Sequence, residues 1–273
     1  MQILNAIIMG IIQGLTEFLP ISSSGHLVLF QYFFNNNTEM NSDISLEVFL
    51  HLGSLLAVII YFRKDLIELL ASLFCWNKTI DSNKHLRKRM MILYLGISTL
   101  VTGIVYLIFG NLIKGVFANP MVTAILLSAT GLILWASDMQ KKNEIPISGM
   151  GFLRGIIIGI GQGIAMLPGI SRSGTTIATS LFCGLKRSEA ARFSFLLSIP
   201  AILLANITEI DAISGLTKYQ MLSYVFGALA AFVSGYLVIG FLIRLIQAAK
   251  LKYFAFYCWF ISILSIVLII SSH

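Results

Sequence analysis

Six stretches of the chain are apolar enough, and long enough, to read as helices crossing a bilayer whose hydrocarbon core is about 30 Å thick. They cover residues 46–62, 90–110, 120–136, 193–207, 221–243 and 253–270. The shorter ones sit at the lower limit of span length. Two further apolar stretches, 3–34 and 152–185, are each interrupted in the middle by Pro, Gly and Ser, at 20–25 and 168–174. No stretch shows the alternation of apolar and polar residues, in segments of about ten, that marks a membrane β-barrel. The pattern predicts an all-α integral membrane protein.

The interrupted stretches resemble one another. "IIMGIIQGLTEFLPISSSGH" (7–26) aligns without gaps on "IIIGIGQGIAMLPGISRSGT" (156–175), with ten identities in twenty positions. Matched Ile and Leu mean little in a membrane sequence. Gln13 with Gln162, Ser22 with Ser171, Ser24 with Ser173 and Gly25 with Gly174 mean more, because they cluster around the break. We read an internal duplication within a single membrane domain, 1–273, with repeat one at 1–136 and repeat two at 151–273.

Charge supplies the orientation. Cytoplasmic loops carry an excess of Lys and Arg. Lys78, Lys84, Arg87, Lys88 and Arg89 therefore lie inside, as do Lys141, Lys142 and Arg154, then Lys186, Arg187 and Arg192, then Arg244, Lys250 and Lys252. The segment 33–45 has no Lys or Arg and belongs outside; the 208–220 loop, with Glu209, Asp211 and only Lys218, belongs there too. Both ends of 152–185 then lie inside, which makes it a re-entrant hairpin turning at 168–174. By the same count 3–34 enters and leaves on the outside. Each repeat holds one re-entrant hairpin and three spans, an odd number of crossings, so the second copy is inverted relative to the first. Inverted repeats with broken hairpins place unwound backbone near the midplane, facing an ionic ligand. The two tips are expected to meet.

Composition agrees with this picture. Hydrophobic residues make up 57% of the 273 and charged residues 11%, against roughly 25% charged in soluble domains; the mean hydropathy is +0.88. The formal net charge of +7 is concentrated in short loops and does not read as a nucleic-acid footprint. Cys75, Cys183 and Cys258 have neither zinc nor disulfide spacing and read as packing residues. The N-terminus shows no basic n-region and no small-residue cleavage site, so no removable signal peptide is expected. The sequence leaves the oligomeric state open; a homodimer is compatible with it.

The two tips carry the candidate chemistry. Gln13 and Glu17 are four residues apart and share a helix face. A carboxylate at membrane depth costs about 2.5–3.5 kcal/mol on insertion scales, so it is kept only if paired, metal-bound or near water. Arg172, the only Arg or Lys between Arg154 and Lys186, can pair with it; the plain structural reading is an ion pair that merely fixes the tips. The same guanidinium can grip a phosphate with two parallel hydrogen bonds. Ser171, Ser173, Thr175 and Thr176 add hydroxyls, Gly169 and Gly174 allow close approach of backbone to ligand, and the helix after Gly174 offers free N–H groups to an anion. Ser22, Ser23, Ser24 and Gly25 repeat the design in the first tip. Ser and Gly also simply pack membrane helices, but two facing anion sites suit a ligand with two linked phosphates. His26 lies within helical reach of Ser22 and Ser23. It reads as a base for a serine nucleophile, as a proton donor to a leaving oxygen, as a residue that orients water, or as a packing residue. Glu17 and the Gln13 amide supply oxygens of the kind a hard divalent cation takes together with substrate phosphates. His51, with Glu47 one turn before it, carries less weight; His85 and His273 read as solvated. Glu189 is expected to pair with Arg187 or Arg192.

The first motif, "QGLTEFLPISSSGHL", and the second, "PGISRSGTT", resemble those of the undecaprenyl-diphosphate phosphatases of the bacitracin-resistance type, and the resemblance covers the whole chain. It implies a multi-pass enzyme of the bacterial inner membrane, acting on a polyprenyl diphosphate lipid. It also implies hydrolysis of undecaprenyl diphosphate to undecaprenyl phosphate and inorganic phosphate, which recycles the lipid carrier of cell-wall synthesis. A divalent metal is implied, Mg²⁺ first, with Ca²⁺ or Mn²⁺ as alternatives. Carried onto this sequence, Gln13 and Glu17 are the metal or base pair, Ser23 the nucleophile candidate, His26 the acid/base and Arg172 the diphosphate clamp. Ser171, Ser173 and Thr176 bind phosphate oxygens. The first position of the family motif is Gln13 here rather than Glu, and an amide is the weaker metal ligand. The rival reading, from another class, is a secondary transporter or flippase that carries an anionic lipid through the same inverted-repeat pocket.

Overall fold

The computed structural model of the chain describes residues 2–34, 44–74, 82–140, 144–213 and 215–272. The outer segment expected at 35–43, Cys75, Lys78, Lys141, Lys142 and His273 lie outside the described residues. What is described is helical: α1 (Gln2–Phe18), α2 (Ser23–Phe34), α3 (Ile44–Tyr61), α4 (Arg63–Phe74), α5 (Ser82–Phe117), α6 (Pro120–Asp138), α7 (Phe152–Ile164), α8 (Arg172–Phe182), α9 (Arg187–Thr208), α10 (Lys218–Gln247) and α11 (Leu251–Ser271), with short 3₁₀ turns at Ile147–Gly149 and Ile210–Ile213. Every stretch expected to cross the membrane is a helix. Among the described residues five helices are long and apolar enough to span, or six if α3 and the bent α4 count as one. Their outward faces carry large bare apolar side chains, such as Leu107, Leu237 and Ile263, which suits lipid rather than water.

Local chemistry starts and stops these helices. Asn119 accepts the Val122 N–H at 3.1 Å ahead of Pro120, the first residue of α6. Thr217 and Gln220 form a reciprocal capping box at the start of α10. The sequence did not predict α4. The pattern assigns no element to residues 63–74, which open on the charged "RKDL", yet the chain bends by 72° after α3 and continues as helix. Asp65 pairs with Arg192 of α9, Glu68 with Lys88 of α5 at 2.8 Å, and the Ser72 carbonyl accepts from Arg89 at 2.8 Å. Ile67, Leu70 and Phe74 occupy the opposite, bare face.

The segments assigned to the inside by charge meet one another. Asp138, at the end of α6, pairs with Arg187 at 3.0 Å and accepts the Lys252 backbone N–H at 3.1 Å. Glu189 was expected to pair with a neighbouring arginine. It instead accepts the Ile147 N–H at 3.3 Å, because Arg187 and Arg192 already have Asp138 and Asp65.

The two apolar stretches broken by Pro, Gly and Ser are both helix–break–helix units, α1–α2 and α7–α8. At 1.5 Å per residue each arm is about 16–26 Å long, short of a crossing. Their packing is exchanged between the repeats: α1 of the first lies on α10 of the second, and α7 of the second lies on α5 of the first. Small residues permit both contacts. A Cβ on Gly10 or Gly14 would strike Gly227 or Ser234 of α10, and one on Gly159 or Gly163 would strike Ser98 or Val105 of α5. Gly10 and Gly159, like Gly14 and Gly163, are partners in the alignment of the two copies. Helix α6 packs on its counterpart α11, where Trp259 donates to the Ser128 carbonyl at 3.1 Å and Ser262 to that of Ala124 at 2.7 Å. This arrangement is compatible with two inverted copies. The buried core, including Phe18, Phe62 and Phe195 with ring centroids about 6 Å apart, backs the broken units and holds the tips in place.

Candidate active site

The tips touch. Gly25 leaves so little room that a Cβ there would stand 2.9 Å from the Gly169 backbone; a Cβ on Gly174 would stand 3.1 Å from that of Pro20. Gly25 corresponds to Gly174 in the repeat, and Pro20 to Gly169, so the two contacts are one contact seen twice. Ser22 fastens the joint. Its hydroxyl accepts the Gly25 N–H at the start of α2 and the Gly169 N–H of the other tip, each at 3.2 Å. Its backbone has φ +68°, a left-handed conformation a side chain rarely adopts, which aims the hydroxyl across the gap. Ser171 caps α8 in the same way, accepting the Gly174 N–H at 3.1 Å. Thr130 of α6 holds the second tip from behind, donating to the Gly169 carbonyl at 2.8 Å and accepting the Ser171 N–H at 3.0 Å.

Four of the residues singled out from the sequence converge on one carboxylate. Glu17 ends α1 with its side chain 8% exposed. One of its oxygens takes the Arg172 guanidinium in a direct ion pair across the tips. The other accepts from the Ser23 hydroxyl at 2.7 Å and from the Gln13 amide at 3.0 Å. His51 of α3, given less weight in the sequence, is a further neighbour of Glu17. The cost of burying a carboxylate is thus offset by one cation and two donors.

The other candidates do not bond to the Glu17 carboxylate. His26 is not hydrogen-bonded to Ser23, whose hydroxyl donates to Glu17. Its Nδ1 lies 2.7 Å from the Ser22 carbonyl and its Nε2 lies 2.9 Å from the Tyr257 hydroxyl on α11. Ser171 and Ser173 are buried, 3.3 Å apart at their hydroxyls, and Ser173 also donates to the Leu19 carbonyl at 3.2 Å. Thr176 is fully buried and turns its hydroxyl to the Arg172 and Ser173 carbonyls and to Ser194 of α9. Ser24 is half-buried beside Ser23, and Gly25 and Gly174 are the contact points of the tips. Sequence reasoning missed Tyr257: it sits in an apolar run, 231 residues from His26, with no polar pattern around it.

The donor set also bears on a metal. The Gln13 carbonyl oxygen is buried, has no hydrogen-bond partner and belongs to the residue bonded to Glu17. Among the described residues no group of three His, Cys, Asp or Glu could hold an ion. These residues therefore fit a hard divalent cation that completes its shell with substrate oxygens and water, not one caged by protein alone.

Comparison with known proteins places the chain among membrane proteins of one kind. The family model for the bacitracin resistance protein BacA matches residues 6–264. An undecaprenyl-diphosphatase of Methanobrevibacter smithii is 41% identical over 271 residues, covering 97% of this chain and 96% of the relative. One of Halothermothrix orenii is 40% identical and covers 98% of each chain. One of Treponema denticola is 42% identical over 94% of each.

Proposed function

The chain belongs to the family of the bacitracin resistance protein BacA, and from that membership and the site we infer that it is an undecaprenyl-diphosphatase. It is a multi-pass membrane hydrolase that cleaves undecaprenyl diphosphate to undecaprenyl phosphate and inorganic phosphate, returning the lipid carrier to cell-wall synthesis. The bacterial inner membrane is its place of work in this reading.

We assign the steps as follows. Arg172 pairs with Glu17 across the tips. A diphosphate headgroup competes for that guanidinium, which offers a second edge to phosphate oxygens. The exchange frees one Glu17 oxygen and brings the terminal phosphorus to Ser23. The Ser23 hydroxyl, already donating to Glu17 at 2.7 Å, attacks that phosphorus in line. Glu17 takes its proton, the P–O bond to the lipid monophosphate breaks, and a phosphoserine forms. Water then attacks the phosphoserine. His26 takes one proton of that water through Nε2, inorganic phosphate leaves, Glu17 returns its proton to the Ser23 oxygen, and His26 passes its own proton to bulk water, which closes the cycle. Two proton acceptors that do not touch each other suit two separate proton transfers. Charge developing on the phosphoryl group is met by Arg172 and by N–H groups at the starts of α2 and α8. Mg²⁺, with Ca²⁺ or Mn²⁺ as alternatives, would be held by Gln13 and Glu17 and would supply further positive charge to the diphosphate.

The observation that carries this reading is the Ser23–Glu17–Arg172 chain across the joint of the tips. Phosphate release from a polyprenyl diphosphate in detergent tests it, because no two compartments exist there and transport of a lipid would yield nothing. Wild-type protein releases phosphate, and Arg172→Ala loses at least about a thousandfold, the scale of a missing transition-state cation. With substrate labelled in the terminal phosphate, acid quench traps label on Ser23. Full activity in Ser23→Ala would remove serine as the nucleophile.

A further inference from the structure

Neither the family match nor the motifs assign a role to α11, yet it supplies a partner for His26. The imidazole Nδ1 faces the Ser22 carbonyl at 2.7 Å, so it carries the hydrogen and donates. That leaves Nε2 with its lone pair as the nitrogen able to take a proton, and the Tyr257 hydroxyl lies 2.9 Å from it. The two rings are nearly parallel, 6° apart in plane with centroids separated by 5.6 Å. Tyr257 is itself held firmly. Its neighbours Ala255 and Cys258 are fully buried, and Trp259 and Ser262, two and five residues further on, are hydrogen-bonded to α6. Tyrosines on lipid-facing helices normally turn their hydroxyls to the headgroup region; this one turns it to a histidine at the edge of the site.

We propose that Tyr257 is a positioning residue of the reaction. Its hydroxyl and ring fix the orientation and tautomer of His26, so that Nε2 meets the water that attacks the phosphoserine. The inference rests on the proton-accepting role given to His26 above. An imidazole tethered only through Nδ1 can swing about its side-chain torsions and spends part of its time out of reach. A second contact on the opposite nitrogen removes that freedom before substrate arrives. When water or a phosphate oxygen approaches Nε2, the phenol yields the lone pair and moves its own hydrogen bond to the newcomer.

Tyr257→Phe in the full-length protein keeps the ring and removes only the hydroxyl. Steady-state phosphate release from a polyprenyl diphosphate in detergent is expected to show kcat down about tenfold, within the range of a general acid–base contribution, with KM changed less than about twofold. A role confined to holding helices together would not produce the second expectation: in a His26→Ala background Tyr257→Phe costs nothing more, because the group it positions is gone. Trapped phosphoserine accumulates in Tyr257→Phe relative to wild type, since the slowed step follows its formation. Wild-type kcat in Tyr257→Phe, or penalties that multiply in the double variant, would overturn the proposal while leaving His26 in place. Wild-type activity in His26→Ala would overturn both.

Discussion

The tip at residues 19–26 and the tip at 168–175 share a frame and divide the chemistry. Ser22 and Ser171 both cap a helix, Gly25 and Gly174 both admit the opposite tip, and Gln13 and Gln162 both sit buried ahead of the break. The positions that differ are the reactive ones. Glu17 corresponds to Met166, Ser23 to Arg172 and His26 to Thr175. Identical tips would bring either two carboxylates or two guanidiniums together in a poorly hydrated joint, where like charges are costly. Opposite charges across a shared frame make the joint stable and leave one acid free to serve one nucleophile. A duplicated scaffold can therefore be symmetric in packing and asymmetric in function.

Exchanging the charges is the most drastic way to break this division. Glu17→Arg or Arg172→Glu alone leaves an unpaired buried charge, which costs about 3–5 kcal/mol and shows as a large drop in thermal stability in detergent. The double variant restores most of that stability. It does not restore hydrolysis, because Ser23 then stands beside a cation and has lost its base, a loss of about 10²–10⁴ in kcat. Recovery of both stability and activity would show that the pair only fastens the tips.

A smaller effect sharpens the shared part of the comparison. Gly25→Ala drives a methyl group into the Gly169 backbone at 2.9 Å, whereas Gly174→Ala meets the Pro20 side chain at 3.1 Å. Overpacking of the first kind costs about 1–3 kcal/mol, and activity should fall with it as the tips separate. The second is the looser contact, 3.1 Å from the Cβ atoms of Pro20 and Ser171, needs a shift of only a few tenths of an ångström and costs less. Equal melting temperatures for the two variants would contradict this asymmetry.

The smallest expected difference separates the capping serines. Ser171→Ala removes a helix cap, worth about 1 kcal/mol. Ser22→Ala removes a cap and also the bond to the Gly169 N–H, so it should cost about 1 kcal/mol more. Thermal unfolding of the two variants side by side measures it.

Much of this was legible in the sequence because membrane physics leaves few choices. Residues 90–110 and 253–270 had to be helices, since nothing else satisfies their backbone in lipid. The breaks at Pro20 and Pro168 were visible as interruptions of otherwise continuous apolar runs. The pairing of Glu17 with Arg172 was legible because Arg172 is the only Arg or Lys between Arg154 and Lys186. Less was legible where a contact had no local signature. Helix α4 was hidden by its charged start, whose partners Arg192 and Lys88 lie on other helices. His26 was placed near the serines by helical spacing, yet Ser23 turned to Glu17, six residues back across the break. Spacing rules hold along a helix and lapse where the helix is interrupted.

By itself the sequence determined what is enforced residue by residue: which segments are apolar enough to enter the membrane, where they break, the likeness of the two broken stretches, and the residue types at the two tips. Tertiary structure alone decided which of those side chains meet, that Ser23 and not His26 bonds Glu17, that Ser22 staples one tip to the other, and that Tyr257 comes to His26 from the far end of the chain. Burial and backbone satisfaction depend on each segment's own composition. Hydrogen-bond partnership depends on the relative placement of helices, which packing fixes through small residues hundreds of positions apart.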